Sequence, residues 1–169
     1  RKDEDWKYTS TKTLQDLSFQ PYFLFSSKGL PTGVLDEVSK LLLPQCYHVV
    51  FVDGHFQDDL SSVLNSANPE NHGLTLITVA NSSSHSSLAT DHVQTLMDSQ
   101  TYDSFALLNL AFSPKGTVLQ INPRSEVTKP IQILHYNSSE NGIVTYPRML
   151  IQVGQHAKGS VIESFSGTS

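Results

Sequence analysis

At 169 residues the chain is long enough for one ordinary domain, or for two small ones that share a core. With 38% hydrophobic and 16% charged residues it has the composition of a packed chain rather than a disordered one. A net charge of −5, with 11 Lys and Arg scattered along the chain, leaves no basic surface for nucleic acid and no basic amphipathic helix for a membrane face.

The first 19 residues are mixed, with Trp6, Tyr8, Leu14, Leu17 and Phe19 as apolar anchors. Pro21 is followed by Tyr22, Phe23, Leu24 and Phe25, which reads as a short buried extended segment. Val34, Leu35, Val38, Leu41 and Leu42 recur at helical spacing, with Thr32 as the expected N-cap and Pro44 as the stop. His48 to Val52, Asp53-Gly54 and His55-Phe56 read as a β-hairpin, because Asp-Gly supplies the positive φ angles of a type I′ turn. Leu74 to Val79 reads as a further strand, and the Ser-rich 81–87 stretch as a solvated connector or a helix lead-in. Leu88 to Met97 reads as helical. A second helix is expected from an Asp103 cap through Phe105, Leu108 and Phe112, stopped by Pro114-Lys115-Gly116.

After Gly116 the pattern becomes all-strand: Thr117–Ile121, Ile131–Tyr136, Met149–Val153 and Ser160–Phe165, separated by Gly, Pro and Asn. Such a series fits a sandwich, a barrel or a β-solenoid. Without a strict internal repeat, the pattern does not choose among them. The chain opens without Met and stops four residues after its last strand, so it reads as a piece of a longer product.

No catalytic constellation emerges. Cys46 is the only cysteine, which excludes an internal disulfide and a thiolate cluster and fits a reducing compartment. It shares a strand face with His48 but lacks an orienting carboxylate, so a structural thiol is expected. His48, His55, His72, His85, His92, His135 and His156 form neither His-x-His nor His-Glu-x-x-His. His48 and His55 flank the hairpin turn and read as a polar surface pair. His135 and Glu163 sit inside apolar strands, where a solenoid would stack them between neighbouring coils as a core hydrogen bond. Asp58 and Asp59 read as a loop or helix start. Gly-rich phosphate loops are absent, and Asn81-Ser82-Ser83 and Asn137-Ser138-Ser139 match the glycosylation sequon. No catalytic, cofactor-binding or metal-binding residue is therefore assigned, and no enzyme is expected.

Several stretches occur in an order that resembles a known family. Glu4-Asp5-Trp6-Lys7-Tyr8-Thr9 is similar to an opening segment of SufD proteins. Phe105-Ala106-Leu107-Leu108-Asn109-Leu110-Ala111-Phe112 with Lys115-Gly116, Lys129–His135, Pro147–Ile151, Gly154–Ala157 and Val161–Glu163 resemble later passages in the same order. Val49–Phe56 is similar to the family's hairpin element. Ser113-Pro114-Lys115 departs from the family in lacking its acidic residue before Gly116.

The resemblance implies an α+β fold: an N-terminal α/β domain over residues 1–112, then the first coils of a right-handed parallel β-helix over 113–169, incomplete here. Phe105, Leu108 and Phe112 would pack on the solenoid end, with Trp6 and Tyr8 as anchors. The implied function is that of a non-catalytic scaffold subunit of a SufBCD-type iron–sulfur cluster assembly complex. Its partners would be SufB-like and SufC-like (ABC ATPase) subunits, contacted mostly beyond this segment, with no nucleic acid and no membrane. The fragment itself would bind no cofactor, although the parent complex handles an iron–sulfur cluster. The expected location is cytoplasmic, or the plastid stroma. A SufB-like scaffold and a secreted polysaccharide-binding β-solenoid are the alternatives. The exposed β-helix end, near Val161–Phe165, is expected to pair two copies.

Overall fold

The structure is a computed structural model, and it describes residues 20–21, 30, 32–64, 73–78, 104–112, 116–138 and 143–168. The readings made for Trp6, Tyr8, Tyr22 to Phe25, Asn81 to Met97 and Asp103 lie outside these residues. The described elements are β1 (Gln20–Pro21), α1 (Val34–Leu41), β2 (Tyr47–Val52), β3 (His55–Gln57), β4 (Leu74–Thr78), α2 (Ser104–Phe112), β5 (Thr117–Ile121), β6 (Ile131–Asn137), β7 (Ile143–Val144), β8 (Met149–Val153) and β9 (Val161–Gly167). A 3₁₀ turn at Ser62–Leu64 follows β3. The fold is thus mixed α/β.

Two sheets face each other. One has the order β3-β2-β6-β9 and the other β4-β5-β8, with β1 and β7 as a separate parallel pair. Both sheets keep free edges, so no barrel closes among the described residues. The β2–β3 hairpin turns at Asp53 and Gly54, whose φ angles of 49° and 78° are both positive, as the Asp-Gly dipeptide predicts. The remaining pairs in the first sheet, β2–β6 and β6–β9, are parallel, and so is β5–β8 in the second.

From β5 onward the chain twice crosses from the second sheet to the first. β5 turns through residues 122–130 into β6, and β8 turns through 154–160 into β9. Every residue of β8 stands 32 positions after its partner on β5, and every residue of β9 stands 30 after its partner on β6. The second turn lies on the first. Arg124 N–H donates to the Gln155 carbonyl (2.9 Å), Lys158 N–H to Ser125 (2.9 Å) and Val127 N–H to Lys158 (2.9 Å). Arg124 and His156 occupy equivalent corners, each with φ 59°. A Cβ on Gly154 would come within 2.5 Å of the Pro123 nitrogen, so the close approach of the two turns requires glycine there.

The main core fills the space between the sheets. Tyr47, Val49 and Phe51 of β2 and Ile131 and Ile133 of β6 meet Leu74, Leu119 and Ile121 of the opposing sheet, closed by Val63 and Val127. On the outer side, Val34 and Val38 of α1 cover Val50, Val52, Leu134 and Tyr136. Strands β2 and β6 are therefore buried on both faces, and Gln132 and His135 are polar residues held within an otherwise apolar strand.

Helix α1 starts differently from expectation. The residue before it is Gly33 at φ 88°, with no side-chain cap, so Thr32 lies one place too far out to serve. Its other end is held across the fold by Gln132, which is 1% exposed. The Gln132 amide Nε2 donates to the Leu41 carbonyl (3.0 Å), and its Oε1 accepts from Leu43 N–H (2.8 Å). One buried amide thereby satisfies two groups at the helix end. Replacing it with leucine leaves both without these partners, so Gln132→Leu is expected to lower unfolding stability by about 1–3 kcal/mol in urea titration.

Candidate functional site

The inward faces of β2, β6 and β9 form one ladder, set by register: Phe51 is opposite His135, and His135 is opposite Phe165. The rings stack. Phe51 and His135 lie 5.1 Å apart at 13°, and His135 and Phe165 lie 4.7 Å apart at 10°. Phe56 meets Phe51 edge-on at 5.8 Å. The imidazole is thus clamped between two phenyl rings, one in the core and one on the outermost strand.

Glu163 lies one inward position before Phe165 and accepts a hydrogen bond from His135 Nε2 at 3.0 Å. A carboxylate can only accept, which places the imidazole proton on Nε2 and leaves Nδ1 as a bare lone pair. Nδ1 is buried with no hydrogen-bond partner. Burial pulls the His135 pKa below its ordinary value of 6.5, while the hydrogen bond and the charge of Glu163 act against that shift.

The outermost strands carry apolar side chains that nothing described covers. Ile151 and Val153 on β8 and Val161, Ile162 and Phe165 on β9 are exposed, Phe165 by 72%. Their register partners Leu119, Ile121, Ile131, Gln132 and His135 are buried or half-buried one level deeper. The outer edges of β8 and β9 have no strand beside them among the described residues. The opposite end of the first sheet is treated otherwise: Ser62 Oγ accepts from His48 N–H (2.8 Å) and Ser61 Oγ from Val50 N–H (3.0 Å) along β2. Among the described residues, the β8 and β9 edges therefore carry more uncovered apolar side chain than the β2 edge, part of which the two serine hydroxyls occupy.

Among the residues singled out from the sequence, His135 and Glu163 come together across the paired strands β6 and β9. His48 does not meet His55. Its Nε2 bonds the Leu43 carbonyl (2.9 Å), whereas His55 sits opposite Val52. Cys46 is free and half-buried just before β2. Asp58 and Asp59 lie in the turn after β3, and His156 marks a coil corner. His72, His85 and His92 lie outside the described residues.

Helix α2 meets the stretch before β8 through Asn109, whose Nδ2 donates to the Pro147 carbonyl (2.9 Å), and through Phe112 stacked on Tyr146 at 5.3 Å. Phe105 and Leu108 on it are exposed.

Asp53 was missed by the sequence reading as anything beyond a turn former. It is buried, and its carboxylate accepts from the backbone N–H (2.8 Å) and the hydroxyl of Ser138, tying the hairpin turn to the end of β6. The dipeptide explains the turn, but nothing local marks a partner 85 residues away.

No group of three or more His, Cys, Asp and Glu side chains among the described residues could hold a metal ion. No described helix is long and apolar enough to cross a membrane. No protein-family model and no curated protein matches the chain.

The two ends of the ring ladder differ in what they support. Phe51→Ala empties a core position and is expected to cost about 3–5 kcal/mol. Phe165→Ala removes a ring that is mostly in water and should cost under about 1 kcal/mol, both measured by chemical denaturation.

Proposed function

We propose that this chain is a non-catalytic scaffold segment from an iron–sulfur cluster assembly complex of the SufBCD type, carrying the first coils of a right-handed parallel β-helix. The reading rests on the order of the motif matches, from Trp6-Lys7-Tyr8 through Phe105–Phe112 and Lys129–His135 to Val161–Glu163. The β-helix part is supported by the parallel in-register stacking of β5 with β8 and β6 with β9, joined by superimposed turns. In this reading the chain contributes a surface, and the cluster belongs to the assembled complex as cargo.

The surface is the outer edge of β8 and β9. Its unpaired strands and exposed inward-facing Val161 and Phe165 are suited to adding another β-layer, whether a second copy of this chain or a β-helix subunit. Contacts with a SufC-like ATPase are expected outside this segment.

Affinity purification of the parent protein from its own cells, followed by mass spectrometry, tests the assignment. Recovery of an ABC-type ATPase with a second β-helix subunit is the expected result, and recovery of neither would remove the scaffold reading. Light scattering over a concentration series tests the edge: residues 1–169 should dimerise as concentration rises, and Val161→Lys should hold them monomeric. A strict monomer throughout would exclude pairing of two copies.

A further inference from the structure

Asp-Gly is the dipeptide in which aspartate rearranges most readily, because glycine has no side chain to shield its backbone nitrogen from the neighbouring carboxyl carbon. The chain contains it once, at Asp53-Gly54. In this fold the carboxylate is neither free nor wet. Asp53 is 2% exposed, and both of its oxygens are engaged: Oδ1 accepts from Ser138 N–H at 2.8 Å, and Oδ2 accepts from the Ser138 hydroxyl.

We propose that Asp53-Gly54 is a latent isoaspartate site and that Ser138 keeps it closed. The reaction joins Gly54 N to Asp53 Cγ, while the amide proton and the carboxyl OH leave as water, and gives a cyclic imide. Water then opens the ring at either carbonyl. One opening restores aspartate, and the other gives isoaspartate, in which the main chain runs through the former side chain. No oxidant, cofactor or second protein enters the balance. Expelling one carboxyl oxygen is incompatible with the observed contacts, since each oxygen holds one donor of Ser138. Cyclisation must first break one of these two bonds, and bonds to a charged carboxylate are among the stronger ones. The turn itself is also held. Asp53 N–H donates to the Tyr136 carbonyl (2.9 Å), and a Cβ on Gly54 would come within 3.0 Å of the Thr145 Cβ, so the hairpin tip has little room to twist.

The lock joins residues 85 positions apart, so it exists only while the hairpin tip sits on the end of β6. Local detachment of Ser138 uncovers the dipeptide whose chemistry the sequence already makes reactive. Isomerisation then blocks the return. Isoaspartate adds one carbon to the main chain inside the turn that pairs Val52 with His55, and it shortens the carboxylate arm that reached Ser138. The site therefore stores, as a covalent change, the time that the hairpin tip has spent away from β6.

The test incubates the chain at neutral pH and physiological temperature, folded in buffer and unfolded in guanidinium chloride. Isoaspartate at position 53 is read by isoaspartyl methyltransferase labelling and by mapping with a protease that cleaves before aspartate but not before isoaspartate. The unfolded chain should accumulate it, and the folded chain should do so more than about ten-fold more slowly. Ser138→Ala, which removes the hydroxyl donor, should raise the folded-state rate several-fold and leave the unfolded-state rate unchanged. Ser138→Thr, which keeps the hydroxyl, should match the parent, with circular dichroism checking that each variant is folded. Equal rates in the folded and unfolded parent, or a folded Ser138→Ala no faster than the parent, would overturn the proposal. If Ser138→Ala does not fold, the parent decides in a series of low guanidinium concentrations: the rate at Asp53 must rise in step with hydrogen exchange of the Ser138 amide, and a rate that does not follow it removes the lock. The outcome does not depend on the family reading, so either can fail without the other.

Discussion

Parallel pairing without a register slip is the constraint on which the rest of this structure depends. Because side chains alternate along a strand, a shift of one residue between β6 and β9 would send Glu163 and Phe165 to the outer face and bring Ile162 and Ser164 inward. The ring ladder, the His135–Glu163 hydrogen bond and the fit of Gly154 against Pro123 all require the same alignment. The corner turns enforce it. Backbone hydrogen bonds from residues 124, 127 and 158 fix one coil on the other before any side chain is considered.

That alignment also makes the two ends of the stack unequal. At the β2 end, a hairpin and two serine hydroxyls occupy the strand edge, and α1 covers the outer face. At the β9 end the same inward positions stand open. The proposed interaction surface follows from this one asymmetry.

Two buried polar groups in the described fold act at joints between distant segments. Gln132 holds the end of α1 from β6, and Asp53 holds the start of the β6–β7 connection from the hairpin turn. Each is satisfied on both sides, so it adds specificity to contacts that apolar packing alone would leave free to slide. His135 is the exception, satisfied at one nitrogen and bare at the other, and it sits at the layer next to the open end.

The sequence by itself determined the local elements. The spacing of Val34 to Leu42 produced α1, Asp53-Gly54 produced the hairpin, and the apolar runs after Gly116 became β5, β6, β8 and β9. It marked His135 and Glu163 as polar residues within apolar strands, which would stack between coils if the strands formed a solenoid. Local chemistry could not choose between a sandwich and stacked coils, because both use the same short strands. The parallel pairing is offset by 32 residues in one sheet and 30 in the other, a mismatch that hides it from a fixed-period reading. Tertiary structure alone decided the parallel register, the burial of Gln132 and Asp53, the Gly33 start of α1, and the exposure of Phe165 against the burial of Phe51. Two phenylalanines in similar strands differ because, among the described residues, β2 has a strand on each side and β9 on one, a fact that exists only once the strands are paired.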